Sequence, residues 1–193
     1  MEALQPKLLD AHLEVAPQER HAAIAIVLRP QPFEDVLFMV RAPRKDDPWS
    51  GQVSFPGGHR ENSDPSLLHT ARRETMEEVG LDLDRLGSPV GRLPDLQASA
   101  RGKRVALMVT PYVFVQTGSS RLQLGPEASH SFRVPLSPML GGALDAEKKI
   151  QTPEIIKRYP AWQHEDHLVW GMTYHVMSGL LDRMRSLDGW PGA

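Results

Sequence analysis

Gly57-Gly58-His59-Arg60-Glu61-Asn62-Ser63-Asp64-Pro65-Ser66-Leu67-Leu68-His69-Thr70-Ala71-Arg72-Arg73-Glu74-Thr75-Met76-Glu77-Glu78-Val79-Gly80-Leu81 reads as a glycine turn followed by a helix whose far end is crowded with carboxylates. Glu74 and Glu78 are four residues apart with Glu77 between them, so all three are expected to project from one helical face. Like charges at that spacing destabilise a helix by roughly 0.2–0.5 kcal/mol per pair, so a positive partner is expected. A hard divalent cation such as Mg2+ suits oxygen ligands and leaves coordination positions for phosphate and water.

The helix has start and stop signals. Asp64 is the expected N-cap and Pro65 the first helical residue, where a missing N–H does no harm. Leu68, Ala71, Thr75 and Val79 follow at helical spacing and predict the core face. Gly80 is the expected stop, a residue able to enter the left-handed region. Arg73 precedes Glu77 by four and is placed to hold that carboxylate while the other two stay free. Upstream, Phe55-Pro56-Gly57-Gly58 is a turn whose glycines let backbone approach a ligand, and a carbonyl there can point at a metal on the helix. A solvated acidic surface after an ordinary turn is the plain alternative; the joint occurrence of turn, cap, arginine and three glutamates argues against it.

These residues resemble the signature of the Nudix hydrolases, G-x5-E-x7-R-E-U-x-E-E-x-G-U, with U a bulky apolar residue. Arg73-Glu74-Thr75-Met76-Glu77-Glu78-Val79-Gly80-Leu81 matches the second half, with Thr75 in the first apolar place. From Gly58 to Arg73 the chain has one residue more than the standard box, and Asp64 stands near the place of the isolated glutamate. A loop longer by one residue is similar to the coenzyme A pyrophosphatase branch, whose upstream pattern is L-L-T-x-R-S-x3-R-x3-G-x3-F-P-G-G. Arg41, Gly51 and Phe55-Pro56-Gly57-Gly58 fit that pattern, whereas Asp46 stands at its second arginine. The resemblance implies an α/β fold, a Nudix-like α/β/α sandwich with a mixed sheet and a central catalytic helix. It implies Mg2+ or Mn2+ held by Glu74, Glu77, Glu78 and the Gly58 carbonyl, with Glu74, Glu77 and Arg73 serving catalysis.

The rest of the chain sets bounds. Its 193 residues suit one domain at 21–193 after a helical extension at 1–20, where Leu8, Leu9, His12 and Leu13 share a side. A net charge of −2 with no long basic run argues against a nucleic-acid partner. The chain contains no cysteine, which removes disulfides, thiolate metal sites and a cysteine nucleophile. The start lacks a signal-peptide pattern and no apolar run approaches bilayer length, so a cytoplasmic protein without membrane association is expected. A monomer or homodimer acting on a small nucleotide is the corresponding expectation.

His21–Leu28 is a near-continuous apolar run, the pattern of a buried strand, and Val36–Arg41 pairs with it as a hairpin. Further strands are expected at Val90–Leu93, Val105–Val115, Arg121–Leu124, His130–Val134 and Leu168–Trp170, with Ala98–Lys103 a polar loop. Ser137–Leu140 begins a turn or short helix. Thr173–Arg185 is the closing helix, burying Tyr174, Met177, Leu180, Leu181 and Met184.

Outside the box, Arg41 ends a strand pointing toward the glycine turn and can contact a phosphate. Arg101, Lys103 and Arg104 can add positive charge over a polyphosphate, with Arg104, Gly57 and Gly58 completing the substrate contacts. Glu127 is the choice for an extra acid or base, with Glu147, Glu165 and Asp166 as rivals. Trp170 reads as core; Trp49 and Trp162 are left open as stacking residues. His164 and His167 read as surface or satisfied histidines. The expected reaction is hydrolysis of a pyrophosphate bond in a nucleoside diphosphate derivative, coenzyme A first. ADP-ribose, nucleotide sugars or triphosphates are the alternative substrates, and a non-catalytic nucleotide-binding module the alternative of another class.

Overall fold

The central strand β1 (His21–Arg29) is buried along nearly its whole length, as its unbroken apolar run requires. The computed structural model describes residues 9–10, 12–14, 20–31, 34–45, 47–100 and 103–186. After β1 come β2 (Asp35–Arg41), β3 (Val53–Ser54), β4 (Gly57–His59), α1 (Leu67–Val79) and α2 (Leu83–Leu86). Then follow β5 (Gly87–Arg92), β6 (Leu96–Ala100), β7 (Lys103–Gln116), β8 (Ala128–Pro135) and α3 (Leu136–Leu140). The chain closes with β9 (Asp145–Gln151), β10 (Ile156–His164), β11 (His167–Trp170) and α4 (Gly171–Arg185).

The larger sheet has eight strands in the order β3-β2-β1-β7-β5, with β4 on β1, β6 on β7 and β8 on β2. β7 runs parallel to β1 while β2 and β4 are antiparallel to it, so the sheet is mixed. β2 and β4 share one edge of β1: β2 takes Leu28 and Arg29, and β4 takes Ala22 to Ile24. The sheet therefore forks at that edge, and the Phe55–Gly58 turn enters at the fork, where Ala25 N–H donates to the Pro56 carbonyl at 2.8 Å.

Alternation along β1 builds two cores. Ile24, Ile26 and Leu28 join Val36, Phe38, Met177, Leu180 and Leu181 on the α4 side. Ala23, Ala25 and Val27 join Leu37, Met39, Leu67, Ala71, Val79 and Phe114 on the α1 side. The small alanines let α1 sit close to the sheet. The three-stranded sheet, in the order β11-β10-β9, is joined to α4 by chain and by packing, with Trp162 against Tyr174 at 4.2 Å. The result is the expected α/β fold with a mixed sheet between helices. No helix among the described residues is long and apolar enough to cross a membrane.

Several expectations need correction. Leu96–Ala100 is a strand hairpinned onto β7, so the expected loop at Ala98–Lys103 is largely ladder; its tip, 101–102, lies outside the described residues. Arg121–Leu124 forms no strand. Its backbone instead lies on the end of α1, with Gln123 N–H donating to Val79 O at 2.9 Å and Gly125 N–H to Glu78 O at 3.0 Å. β9 and most of β10 went unanticipated because β9 alternates between polar exposed and only half-buried positions, leaving no apolar period. Trp170 is half-buried beneath Lys148, and Trp162, only 3% exposed, is the core tryptophan among the described residues. Most of the expected 1–20 helix lies outside the described residues; 9–10 and 12–14 are not helical, and Asp10 bridges to Arg92.

Candidate active site

α1 starts two residues later than its sequence suggests. Ser66 is the N-cap, its Oγ accepting from His69 N–H at 3.2 Å. Asp64 is instead drawn inward, only 1% exposed, where it accepts from Glu61 N–H and Thr70 Oγ1, each at 2.9 Å. Arg73 donates to both its oxygens, Nε to Oδ1 and Nη2 to Oδ2, each at 3.0 Å. Burial alone would raise the Asp64 pKa, but the Arg73 guanidinium and the Glu61 and Thr70 donors override it and hold the carboxyl well below the usual range. The core face of α1 correspondingly begins at Leu67 and uses Thr70, Ala71, Thr75, Glu78 and Val79, with Leu68 half-buried. Gly80 ends the helix at φ 67°, as expected.

Arg73 has more partners than Glu77. Its guanidinium reaches Glu77 Oε2 at 2.9 Å, Glu74 Oε1 at 3.0 Å and the His59 carbonyl at 3.0 Å, besides Asp64. The hydrogen bond to Asp64 leads the interactions that raise its pKa, so it stays charged. One cation thus ties the glycine turn, the loop before the helix and two of the helix carboxylates together.

The three glutamates occupy three environments rather than one shared face. Glu77 is outermost, its side chain 56% exposed. Glu74 is 14% exposed and lies over Gly58, where a Cβ would stand 2.5 Å from Glu74 Oε1. Burial raises the Glu74 pKa, and Arg73 opposes that shift. Glu78 is almost fully buried and accepts from Gly57 N–H at 2.8 Å. Burial pushes its carboxyl up to about 8, against the Gly57 hydrogen bond and with the help of Glu74. Gly57 itself, at φ 149°, has no room for a side chain, because a Cβ would strike the Ala23 carbonyl. Two glycines therefore seat two carboxylates against backbone.

Around this centre, Arg41 is held by Asp47, with Nη2 2.8 Å and Nε 2.9 Å from Oδ2, and it favours the Glu78 anion at longer range. Glu127 is brought to the site: its charge acts on both Glu74 and Glu78, its carbonyl accepts from Ala42 N–H, and its side chain pairs with Arg44 at 3.0 Å. Its rivals lie elsewhere. Glu147 pairs with Arg158 on the small sheet, and Glu165 and Asp166 form the β10–β11 turn. Arg104 is exposed on β7 opposite Ser99, whose carbonyl accepts the Trp49 indole at 3.0 Å. Arg101 lies outside the described residues. His164 and His167 are half-buried and satisfied by stacking: they pile with Phe132 and His130, His167 lying 4.0 Å from Phe132.

Among the described residues no three histidine or acidic side chains converge into a ready cage for an ion. Glu74, Glu77, Glu78 and Glu127 are each engaged by a protein donor. The donor set is nonetheless all oxygen. It includes a buried carboxylate whose shift reports desolvation and whose bonding comes from one backbone N–H, which fits a hard divalent cation. Sequence reasoning missed Asp64 as the anchor of Arg73 and Asp47 as the partner of Arg41. The first had a signal, an acid at the place of the isolated box glutamate; the second, a loop contact, had none.

Carboxylates seated on a glycine turn beside a forked mixed sheet form the candidate site. The chain belongs to the Nudix family, whose model, the NUDIX domain, matches residues 19–157. It is 31% identical over 173 residues to the Photorhabdus laumondii protein named "Uncharacterized Nudix hydrolase NudL", covering 86% of each chain. The MutT/nudix family protein from Enterococcus faecalis shares the fold at a TM-score of 0.58 and 16% identity, over 94% of this chain and 68% of that one. The NUDIX domain of Shewanella oneidensis NrtR, solved with ADP ribose, does so at a TM-score of 0.50 and 19% identity, over 65% of this chain and 78% of that one. The protein is a Nudix pyrophosphohydrolase.

Proposed function

We propose that the substrate is a nucleoside diphosphate joined to a second group, with coenzyme A and its derivatives the first to test. The observation that carries the catalytic reading is the seating of Glu78: buried, bonded to Gly57 N–H and pushed up to about 8 beside Glu74. Glu74 and Glu78, with Glu77 and the Gly58 carbonyl, would hold Mg2+ or Mn2+. When bound, such a cation offsets charge on phosphoryl oxygens and lowers the pKa of a water ligand. Arg73 fixes the carboxylates in place. Arg41, Arg104 and the Gly57–Gly58 backbone would contact the substrate's phosphates. Glu127 and Glu77 compete to take the proton from the attacking water. The water oxygen adds to phosphorus, the bridging P–O bond breaks, and the leaving phosphate carries away the bond's electrons.

The coenzyme A reading rests on the longer loop between Gly58 and Arg73 and on Arg41, Gly51 and the Phe-Pro-Gly-Gly turn. Asp46, at the branch's second arginine, favours a different diphosphate such as ADP-ribose or a nucleotide sugar. Incubation with Mg2+ and a panel of coenzyme A, ADP-ribose, dinucleotides and triphosphates decides between them. Release of 3′,5′-ADP from coenzyme A supports the first reading. Inertness toward coenzyme A with turnover of another diphosphate replaces it.

A further inference from the structure

Among the described residues, the hairpin of β9 and β10 leaves the small sheet with an open edge. β9 lies outermost in the order β11-β10-β9, and among the described residues no element other than β10 packs extensively against it. A free edge offers unpaired N–H and C=O groups to another strand. The side chains of β9 alternate: Asp145, Glu147, Lys149 and Gln151 are exposed, while Ala146, Lys148 and Ile150 are half-buried.

Lys149 is the residue this edge leaves unsatisfied. Directly opposite it on β10 stands Arg158, a like charge, which is unfavourable across a ladder. Glu147 binds Arg158 at 2.7 Å, and Lys149 has no ion-pair partner among the described residues. Its other side faces the open edge.

We propose that β9 pairs with the same strand of a second copy of this chain, antiparallel about a two-fold axis at Lys148. Only a register that keeps exposed residues opposite exposed ones preserves both faces of the sheet. The register centred on Lys148 does so and gives a partner to all 7 residues of β9. Glu147 then stands opposite the partner's Lys149, and Lys149 opposite the partner's Glu147. Ala146 meets the partner's Ile150 on the inner face. The two Lys148 side chains at the axis are drawn aside, since each ammonium lies 5.5 Å over the ring of its own Trp170. The tip isoleucines Ile155 and Ile156, each 54% exposed, extend toward the base of the partner's hairpin. A two-fold contact of this kind is closed, so it ends at the dimer.

Sedimentation analysis of the full chain over a concentration series tests this pairing. The wild-type protein should dimerise. Lys149→Glu should raise the dimer Kd at least about tenfold, because like charges then face each other twice across the axis. That variant keeps the Glu147–Arg158 pair, so the hairpin should survive, and an unchanged melting curve checks it. Glu147→Lys should weaken self-association likewise, while an equimolar mixture of the two variants should form a heterodimer about as tight as wild type. A monomeric wild type at the highest concentration, a Lys149→Glu dimer of unchanged affinity, or variants that fail to associate when mixed would each overturn the pairing.

Discussion

Arg73 holds Asp64 at two points, Nε to Oδ1 and Nη2 to Oδ2, and so fastens the loop before α1 to the middle of that helix. The same guanidinium reaches Glu74, which makes the loop clasp and the candidate-site carboxylates parts of one network. Four predictions follow from such links.

Asp64→Ala removes the two-point partner of Arg73, which keeps Glu74, Glu77 and the His59 carbonyl, and takes one of two acceptors from Thr70. Because the guanidinium stays paired, the cost should lie below that of an uncompensated buried charge, at about 1–3 kcal/mol for the hydrogen bonds left unmade. Urea denaturation with chelator present should show a loss of that order, and a change below about 1 kcal/mol would mean that the clasp contributes little.

Glu78 gives metal-free stability a distinctive pH dependence. The folded protein keeps its proton up to about pH 8, whereas the unfolded chain releases it near 4.5. Between those values the folded state binds more protons, so this contribution is full below about pH 4.5 and is lost as pH rises through about 8. Denaturation of wild type and Glu78→Gln between pH 5 and 8 isolates it. The wild type should lose stability relative to the variant with rising pH, and a constant difference would refute the shift.

Glu74→Gln and Glu78→Gln should each lower turnover at least about a hundredfold, the scale of losing a key electrostatic group. Gly58→Ala should do the same without touching a carboxylate, because its Cβ would displace Glu74 from 2.5 Å away. All three should give native circular dichroism. Near-normal turnover in both glutamine variants would remove these residues from the site.

Divalent cation should stabilise the folded chain in a saturable way, by about 2.7 kcal/mol at a hundredfold excess over Kd. Thermal melts with Mg2+ or Mn2+ should show this, Glu78→Gln should weaken it, and NaCl at equal ionic strength should do much less. Equal shifts from NaCl and Mg2+ would reduce the cluster to a charged surface.

The sequence made the helix, its stop at Gly80 and the buried strand His21–Leu28 readable, because each rests on local periodicity or on a residue with special backbone freedom. It showed which carboxylates matter but not their separate environments. Glu78 differs from Glu77 because Gly57, whose N–H it accepts, reaches it through the sheet rather than along the helix. Asp64 looked like a cap because a helix start satisfies backbone donors locally, and the pull of Arg73 from nine residues away is tertiary. The Arg121–Leu124 segment looked like a strand for the same reason: extended backbone was legible, but its partner, the last turn of α1, was not.

The fork on the edge of β1 separates two degrees of tolerance to substitution. Residues that seat the carboxylates leave from β4, pressed on the buried strand, where Gly57 tolerates no added atom. The other limb, beyond the end of β2, carries Arg44, paired with Glu127, and Asp47, paired with Arg41. Substitution should accordingly be tolerated better on that limb than at Gly57, where any side chain collides with the Ala23 carbonyl.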